Sequence, residues 1–250
     1  MSADTPRDLA GMRAVGRLVA ETLDELEAAV APGVTTAELD ALAAAHFARR
    51  GARSGPILTY RYPGSVCISV DDEIVHGIPG SRALRDGQMI TLDVAAELRG
   101  YHADAARTVT VGDGDLEARR LIDAARAALA AGIRAAQPGA TLREVGSAVE
   151  RVTEARGFTV VRELTGHGIG RAMHEAPTVH NWPNPDADGD VVLTLGLVFT
   201  IEPMIVAGRP AFSVDGDGWT IRTRDGSRSA HAEHTIMVAA GGPEVLTAAA

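Results

Sequence analysis

The chain has 250 residues, 46% of them hydrophobic, a mean hydropathy of +0.03 and a formal charge of −9. That balance fits a globular chain with a sizeable core and excludes a surface that attracts nucleic acid over its whole extent. No stretch approaches the roughly 18 apolar residues of a membrane span, and the first residues lack the layout of a signal peptide. Cys67 is the only cysteine, which rules out an intramolecular disulfide and fits a reducing compartment, so a cytoplasmic location is expected.

The first element predicted is a helix, with Met12, Val15, Val19, Leu23, Leu26 and Val30 recurring at helical spacing. A second helix opens at PGVTTAELD, where Thr35 and Glu38 form the Thr-x-x-Glu pattern of a capping box. Strand patterns follow in CISV, MITLDV and RTVTV. His76, in DDEIVHGIPG, precedes a Gly and is near a Pro, which places it at a strand end or turn. On local sequence it reads equally as a surface residue or a site residue.

Two of these apolar strands carry carboxylates, Asp93 and Asp104, although strand interiors disfavour Asp and a buried charge needs a partner. If the chain reverses at Gly100, antiparallel pairing places Asp93 opposite Asp104, with Cβ atoms about 5 Å apart. Two ionised carboxylates about 4 Å apart repel by roughly 4 kcal/mol at an effective dielectric near 20. A divalent cation turns that repulsion into binding.

The pattern then begins again. Ile122, Ala125, Leu129, Ile133 and Ala136 trace a third helix, and PGATLREVG opens a fourth with Thr141 and Glu144 as its capping box. Aligned at an offset of 106 residues, PGVTTAELDALAAAHFARRG and PGATLREVGSAVERVTEARG share six of twenty positions. Strand patterns FTVV, LVFTIEPMIV and HTIMVA complete the second half. The chain therefore reads as a single α+β domain over residues 1–250, with an internal repeat at about 8–112 and 115–240 around a shared, largely antiparallel sheet.

The second half adds Glu202, inside an apolar strand and followed by Pro203, and Glu233 at the start of another. In LTGHGIGRAMHEAP, glycines surround His167, and His174 follows. The glycines are not followed by a phosphate loop, which argues against nucleotide binding. One imidazole with four carboxylates suits Mn, Fe(II) or Co more than structural zinc, and four carboxylates balance two divalent ions. His231 and His234 flank Glu233, which makes either a candidate for contact with a ligand rather than with the ion. No GxSxG elbow supports serine chemistry, and Cys67 reads as a pocket wall before it reads as a nucleophile.

Taken together, YPGSVCISVDDEIVHGIPG, LDV with YHADAARTVTVG, TGHGIGRAMHEAP, FTIEP and DGWTIRTRDGSRSAHAEHT resemble the type I methionine aminopeptidases over roughly residues 8 to 240. The resemblance implies the pita-bread fold and a catalytic domain that removes the initiator methionine from nascent proteins with a small second residue. It also implies two divalent ions (Co, Mn, Fe(II), Ni or Zn) held by Asp93, Asp104, His167, Glu202 and Glu233. His76 and His174 would contact the scissile peptide, Glu202 would act as general acid and base, and Tyr62, Cys67 and Trp219 would wall the methionine pocket. The implied partners are N-termini of nascent chains, with transient ribosome contact, no membrane, no nucleic-acid readout and a monomeric state. A Xaa-Pro peptidase of the same fold is the rival reading, and it expects a long domain ahead of the catalytic one. Four positions depart from the family pattern: Ala95 and Ala105 replace hydroxyl residues beside the Asp ligands, and Thr59 and Met173 stand where aromatic residues are common.

Overall fold

The computed structural model describes residues 2–248. Helix α1 (Pro6–Ala29) starts where the Thr5 hydroxyl accepts the Asp8 amide at 3.1 Å, and it buries the stripe Met12, Val15, Val19, Leu23 and Leu26. Helix α2 (Thr36–Arg50) opens with the full Thr35–Glu38 capping box and ends at Gly51, whose φ of 65° closes its C-terminus. After β1 (Arg53–Ser54) and the short α3 (Gly55–Tyr60) come β2 (Cys67–Val70), β3 (Glu73–Val75) and a long hairpin of β4 (Met89–Leu98) and β5 (Tyr101–Thr110). The second half repeats the start. It has α4 (Leu116–Ala135), then α5 (Leu142–Ala155), again behind a full capping box, made by Thr141 and Glu144.

The remaining strands are short. They are β6 (Thr159–Val160), β7 (Gly166–Gly168), β8 (Glu175–Val179), β9 (Val198–Ile201), β10 (Met204–Val206), β11 (Phe212–Val214), β12 (Ile221–Thr223), β13 (Ser229–His231), β14 (His234–Ala239) and β15 (Gly242–Val245). The strands pair antiparallel, as expected, in four hydrogen-bonded groups, β1-β4-β2 with β5 on β4, β13-β10-β6, β11-β12-β3 and β15-β14-β9-β7-β8. Each helix pair covers its own apolar cluster. One gathers Met12, Leu23, Leu39, Ile90 and Leu92, and the other Leu121, Leu129, Val145, Phe199 and Ile201. Each such side chain, fully buried, contributes about 1.5–3 kcal/mol.

The hairpin register differs from the one read in the sequence. Asp93 pairs with Ala106, and Asp104 pairs with Ala95. Arg99 and Gly100 both take positive φ, 55° and 82°, as a two-residue turn with mirror-image geometry requires. Closing at Leu98 and Tyr101 shifts the pairing by two residues. A two-residue shift keeps both acids on one face, as diagonal neighbours.

Glu202 and Glu233 also sit differently. Glu202 and Pro203 separate β9 from β10, and Ala232 and Glu233 separate β13 from β14. Pro203 has no N–H to continue the ladder, so β9 pairs with β14 on one side of the break and β10 pairs with β13 on the other. Both glutamates therefore lie where paired strands change ladders.

Candidate metal centre

The seam between the halves is built from backbone groups and threonine hydroxyls. The Glu233 amide donates to the Ala106 carbonyl at 2.9 Å, tying the second half to the residue opposite Asp93. The Thr235 hydroxyl donates to the Asp104 carbonyl at 2.8 Å and accepts the Asp104 amide at 3.0 Å. On the other flank the Thr108 hydroxyl bonds the His231 backbone in the same two-way fashion, at 2.8 and 2.9 Å. These pairings turn Asp104, Glu233 and His231 toward one cavity of about 410 Å³, which Asp93, His167 and Glu202 also line.

Burial there is deep: Asp104, Glu202 and Glu233 are 5%, 8% and 2% exposed. Among the described residues Asp104 Oδ1 and Glu233 Oε1 have no hydrogen-bond partner. Burial pushes Asp104 up to about 6, against hydrogen bonds that lower it, and lifts Asp93, Glu202 and Glu233 well above the usual carboxylate range, where neighbouring carboxylates add to the shift. A divalent cation among them would favour the ionised forms. His167 reaches to within 3.6 Å of Glu202 Oε1, and burial lowers its pKa to about 3, leaving the neutral imidazole that binds metals. Asp104, His167 and Glu233 offer donor atoms within 4.8 Å of one another, and Glu202, His231 and Glu233 form a second such group. Hard oxygens with one or two imidazoles fit a divalent ion.

Glycines bring the backbone close beside His167. A Cβ on Gly166 would lie 2.7 Å from the Thr200 carbonyl oxygen, and one on Gly168 would lie 2.2 Å from that of Ala176. The close approach places Thr200 under the site: its hydroxyl accepts the His167 amide at 2.9 Å and donates to Glu202 Oε1 at 2.6 Å. Sequence reasoning passed over Thr200, although it stands two residues before Glu202 and so shares its face under strand periodicity. Asn181 was also missed. It is 1% exposed and donates to the Glu202 carbonyl at 3.0 Å, holding the ladder break in place.

The two other histidines flank the acids. His76 follows β3 in a left-handed conformation, φ 59°, and its Gly77 neighbour packs so tightly that a Cβ would lie 2.4 Å from the Ile68 carbonyl oxygen. The Tyr62 hydroxyl fixes the same turn by donating to the Gly77 carbonyl at 2.6 Å. His174 lies between β7 and β8, with its ring 3.9 Å from that of His167. Tyr60 Oη stands 2.7 Å from His174 Nδ1. Burial depresses both His76 and His174, so each is neutral at physiological pH.

The apolar part of the cavity holds Tyr62, Cys67, Val75, Met173 and Trp219. Tyr62 and Trp219 meet edge to face at 5.2 Å. Cys67 pairs with Asp93 across β2 and β4, and burial raises its thiol pKa well above normal, which suits a wall and not a nucleophile. Thr59 is exposed and does not line the cavity; its neighbour Tyr60 does.

The sequence profile of Metallopeptidase family M24 matches residues 10–240. The methionine aminopeptidase of Escherichia coli strain K12 is 41% identical over 249 residues, covering 99% of this chain and 94% of the relative. Methionine aminopeptidase 1 of Bacillus subtilis strain 168 is 40% identical over 243 residues, 97% of each chain. The crystal structure of methionine aminopeptidase from Rickettsia prowazekii superposes with a TM-score of 0.93 at 39% identity, over 98% of both chains.

Proposed function

The chain belongs to Metallopeptidase family M24, and from that premise we propose that it is a methionine aminopeptidase with the pita-bread fold, removing the initiator methionine from nascent polypeptides whose second residue is small. One observation carries the reading: four carboxylates and His167, drawn from both halves, line one cavity in which buried oxygens of Asp104 and Glu233 have no hydrogen-bond partner among the described residues. Asp93, Asp104, His167, Glu202 and Glu233 are proposed to hold two divalent ions. When bound, those ions acidify the attacking water and polarise the peptide carbonyl.

The chain's own groups do the rest. Tyr62, Cys67, Met173 and Trp219 receive the methionine side chain, a soft and flexible group that such a mixed apolar wall accepts. A free α-amino group, a nitrogen donor of the kind such a centre takes up, would restrict the reaction to a chain terminus. His174 presents an imidazole to the scissile carbonyl as charge develops there, and His76, which lines the same cavity, contacts the same peptide. Glu202, whose pKa burial raises well above the usual range, takes a proton from the attacking water and delivers it to the leaving amine.

The catalytic unit is proposed to be one domain, residues 1–250, with halves at about 8–112 and 115–240, acting as a monomer in the cytoplasm with transient ribosome contact. No described helix is long and apolar enough to cross a membrane. The test is Glu202→Gln assayed on Met-Ala-Ser beside a Xaa-Pro peptide. Cleavage of Met-Ala-Ser by the wild type alone is expected. Near wild-type turnover by the variant, or a preference for the Xaa-Pro peptide, refutes the assignment. Chelation followed by separate return of Mn, Fe(II), Co, Ni and Zn identifies the working ion.

A further inference from the structure

His231 is a buried imidazole that the proposed ligand set leaves unused. It ends β13, is 2% exposed and lines the cavity. Neither ring nitrogen has a hydrogen-bond partner among the described residues. A buried polar group without a partner costs about 1–3 kcal/mol, and this ring has two such atoms. Its backbone is held on both sides, by Thr108 and by pairing with Met204, so the side chain points where the fold sends it.

Nε2 of His231 lies 3.7 Å from Glu233 Oε2 and 4.0 Å from Glu202 Oε2. Both separations are too long for hydrogen bonds. They fit donors sharing one ion, because ligands each about 2.1 Å from a metal lie no more than about 4.2 Å apart. His167 stands in a comparable relation to the other Glu202 oxygen, at 3.6 Å from Oε1. The two imidazoles thus approach the same carboxylate from opposite oxygens.

We propose that His231 is a sixth protein ligand of the metal centre, giving a nitrogen donor to an ion that Glu202 and Glu233 also bind. The assignment rests on the metallopeptidase reading above. A second imidazole moves the centre from nearly all-oxygen ligation toward mixed N/O ligation, which favours Co(II), Fe(II) or Zn over Mn.

The experiment counts imidazoles. Metal-free full-length protein is titrated with Co(II) under anaerobic conditions, affinity is read by calorimetry, and the hyperfine-shifted imidazole resonances of the Co(II) protein are recorded by NMR. Two sets of shifted ring signals are expected for the wild type. His231→Gln should lose one set and bind Co(II) at one site at least tenfold more weakly; His167→Ala should lose the other set. A wild type with a single set, lost only in His167→Ala, overturns the assignment and leaves the metallopeptidase reading standing. So does a pair of sets that persists in His231→Gln. The wild-type count decides even where a variant fails to fold. A wild type that binds no Co(II) sinks both readings together.

Discussion

The Thr200 hydroxyl lies 2.6 Å from Glu202 Oε1 while it accepts the His167 amide at 2.9 Å. It therefore joins a proposed metal ligand to the proposed general base and fixes the orientation of the Glu202 carboxylate. A hydrogen bond to a charged group is worth about 1.5–3 kcal/mol, and about 1.4 kcal/mol is tenfold in rate. Thr200→Val is expected to lower kcat on Met-Ala-Ser by about ten- to a hundredfold with KM changed less than about threefold. Thr200→Ser should keep most of the rate. Equal kcat values for Val and wild type would show that Glu202 is positioned without this bond.

Tyr60 acts on His174 in a similar way from the cavity rim. In the tautomer where the Tyr60 hydroxyl donates to Nδ1, at 2.7 Å, the neutral ring carries its proton on Nε2, ready to donate to a carbonyl. Tyr60 is 46% exposed, so Tyr60→Phe should leave the melting temperature unchanged. Losing a neutral hydrogen bond of about 0.5–1.5 kcal/mol is expected to reduce kcat by about three- to tenfold. Steady-state kinetics with Met-Ala-Ser and a melting curve on the same sample separate this from misfolding.

The contrast between these residues and the acids explains what the sequence made legible. Both capping boxes, Thr35–Glu38 and Thr141–Glu144, are local in chain and were readable from four residues each. Asp93, Asp104, Glu202 and Glu233 stood out because an acid in an apolar strand is costly without a partner. The hairpin register was not legible, since it depends on whether Arg99 joins Gly100 at positive φ, which Arg seldom adopts. The breaks beside Glu202 and Glu233 depend on four strands pairing across the two halves. Tyr60 and His174 are 114 residues apart, so no local pattern connects them.

Gly168 tests how closely the β7–β8 pairing controls the histidines. A Cβ there would meet the Ala176 carbonyl oxygen at 2.2 Å and that of Glu175 at 2.9 Å, and backbone at those distances has to move. Gly168→Ala is expected to destabilise the fold by about 1–3 kcal/mol, as overpacking does, and to weaken metal binding because His167 is the preceding residue. Gly241→Ala, where nothing lies within 4 Å of the added carbon, serves as the control and should match wild type. Calorimetric melting and Co(II) titration read the two effects.

The acid cluster gives the metal-free protein an unusual dependence on pH. In the unfolded chain Asp and Glu titrate near about 3.9 and 4.3. In the fold Asp104 rises to about 6, and Asp93, Glu202 and Glu233 rise well above the normal range. Between those limits the folded state binds more protons than the unfolded one, so stability is fully present below about pH 4 for these groups and is lost as pH climbs through their folded values. Carboxylates with depressed values, such as Asp225 at about 2, titrate below this window and leave the slope alone. Buried histidines with lowered values, such as His167 at about 3, take up protons only on unfolding and oppose this slope up to about pH 6.5. Metal-free protein is therefore expected to melt at falling temperatures as pH rises above about 6.5. Saturating Co(II) or Mn should remove most of that slope, since an ion at a hundred times its Kd adds about 2.7 kcal/mol, and binding should release protons in calorimetry across buffers of different ionisation heat. A melting temperature that stays flat or rises over this range without metal, together with proton-neutral binding, would mean that these four acids are already ionised and separated in the empty fold.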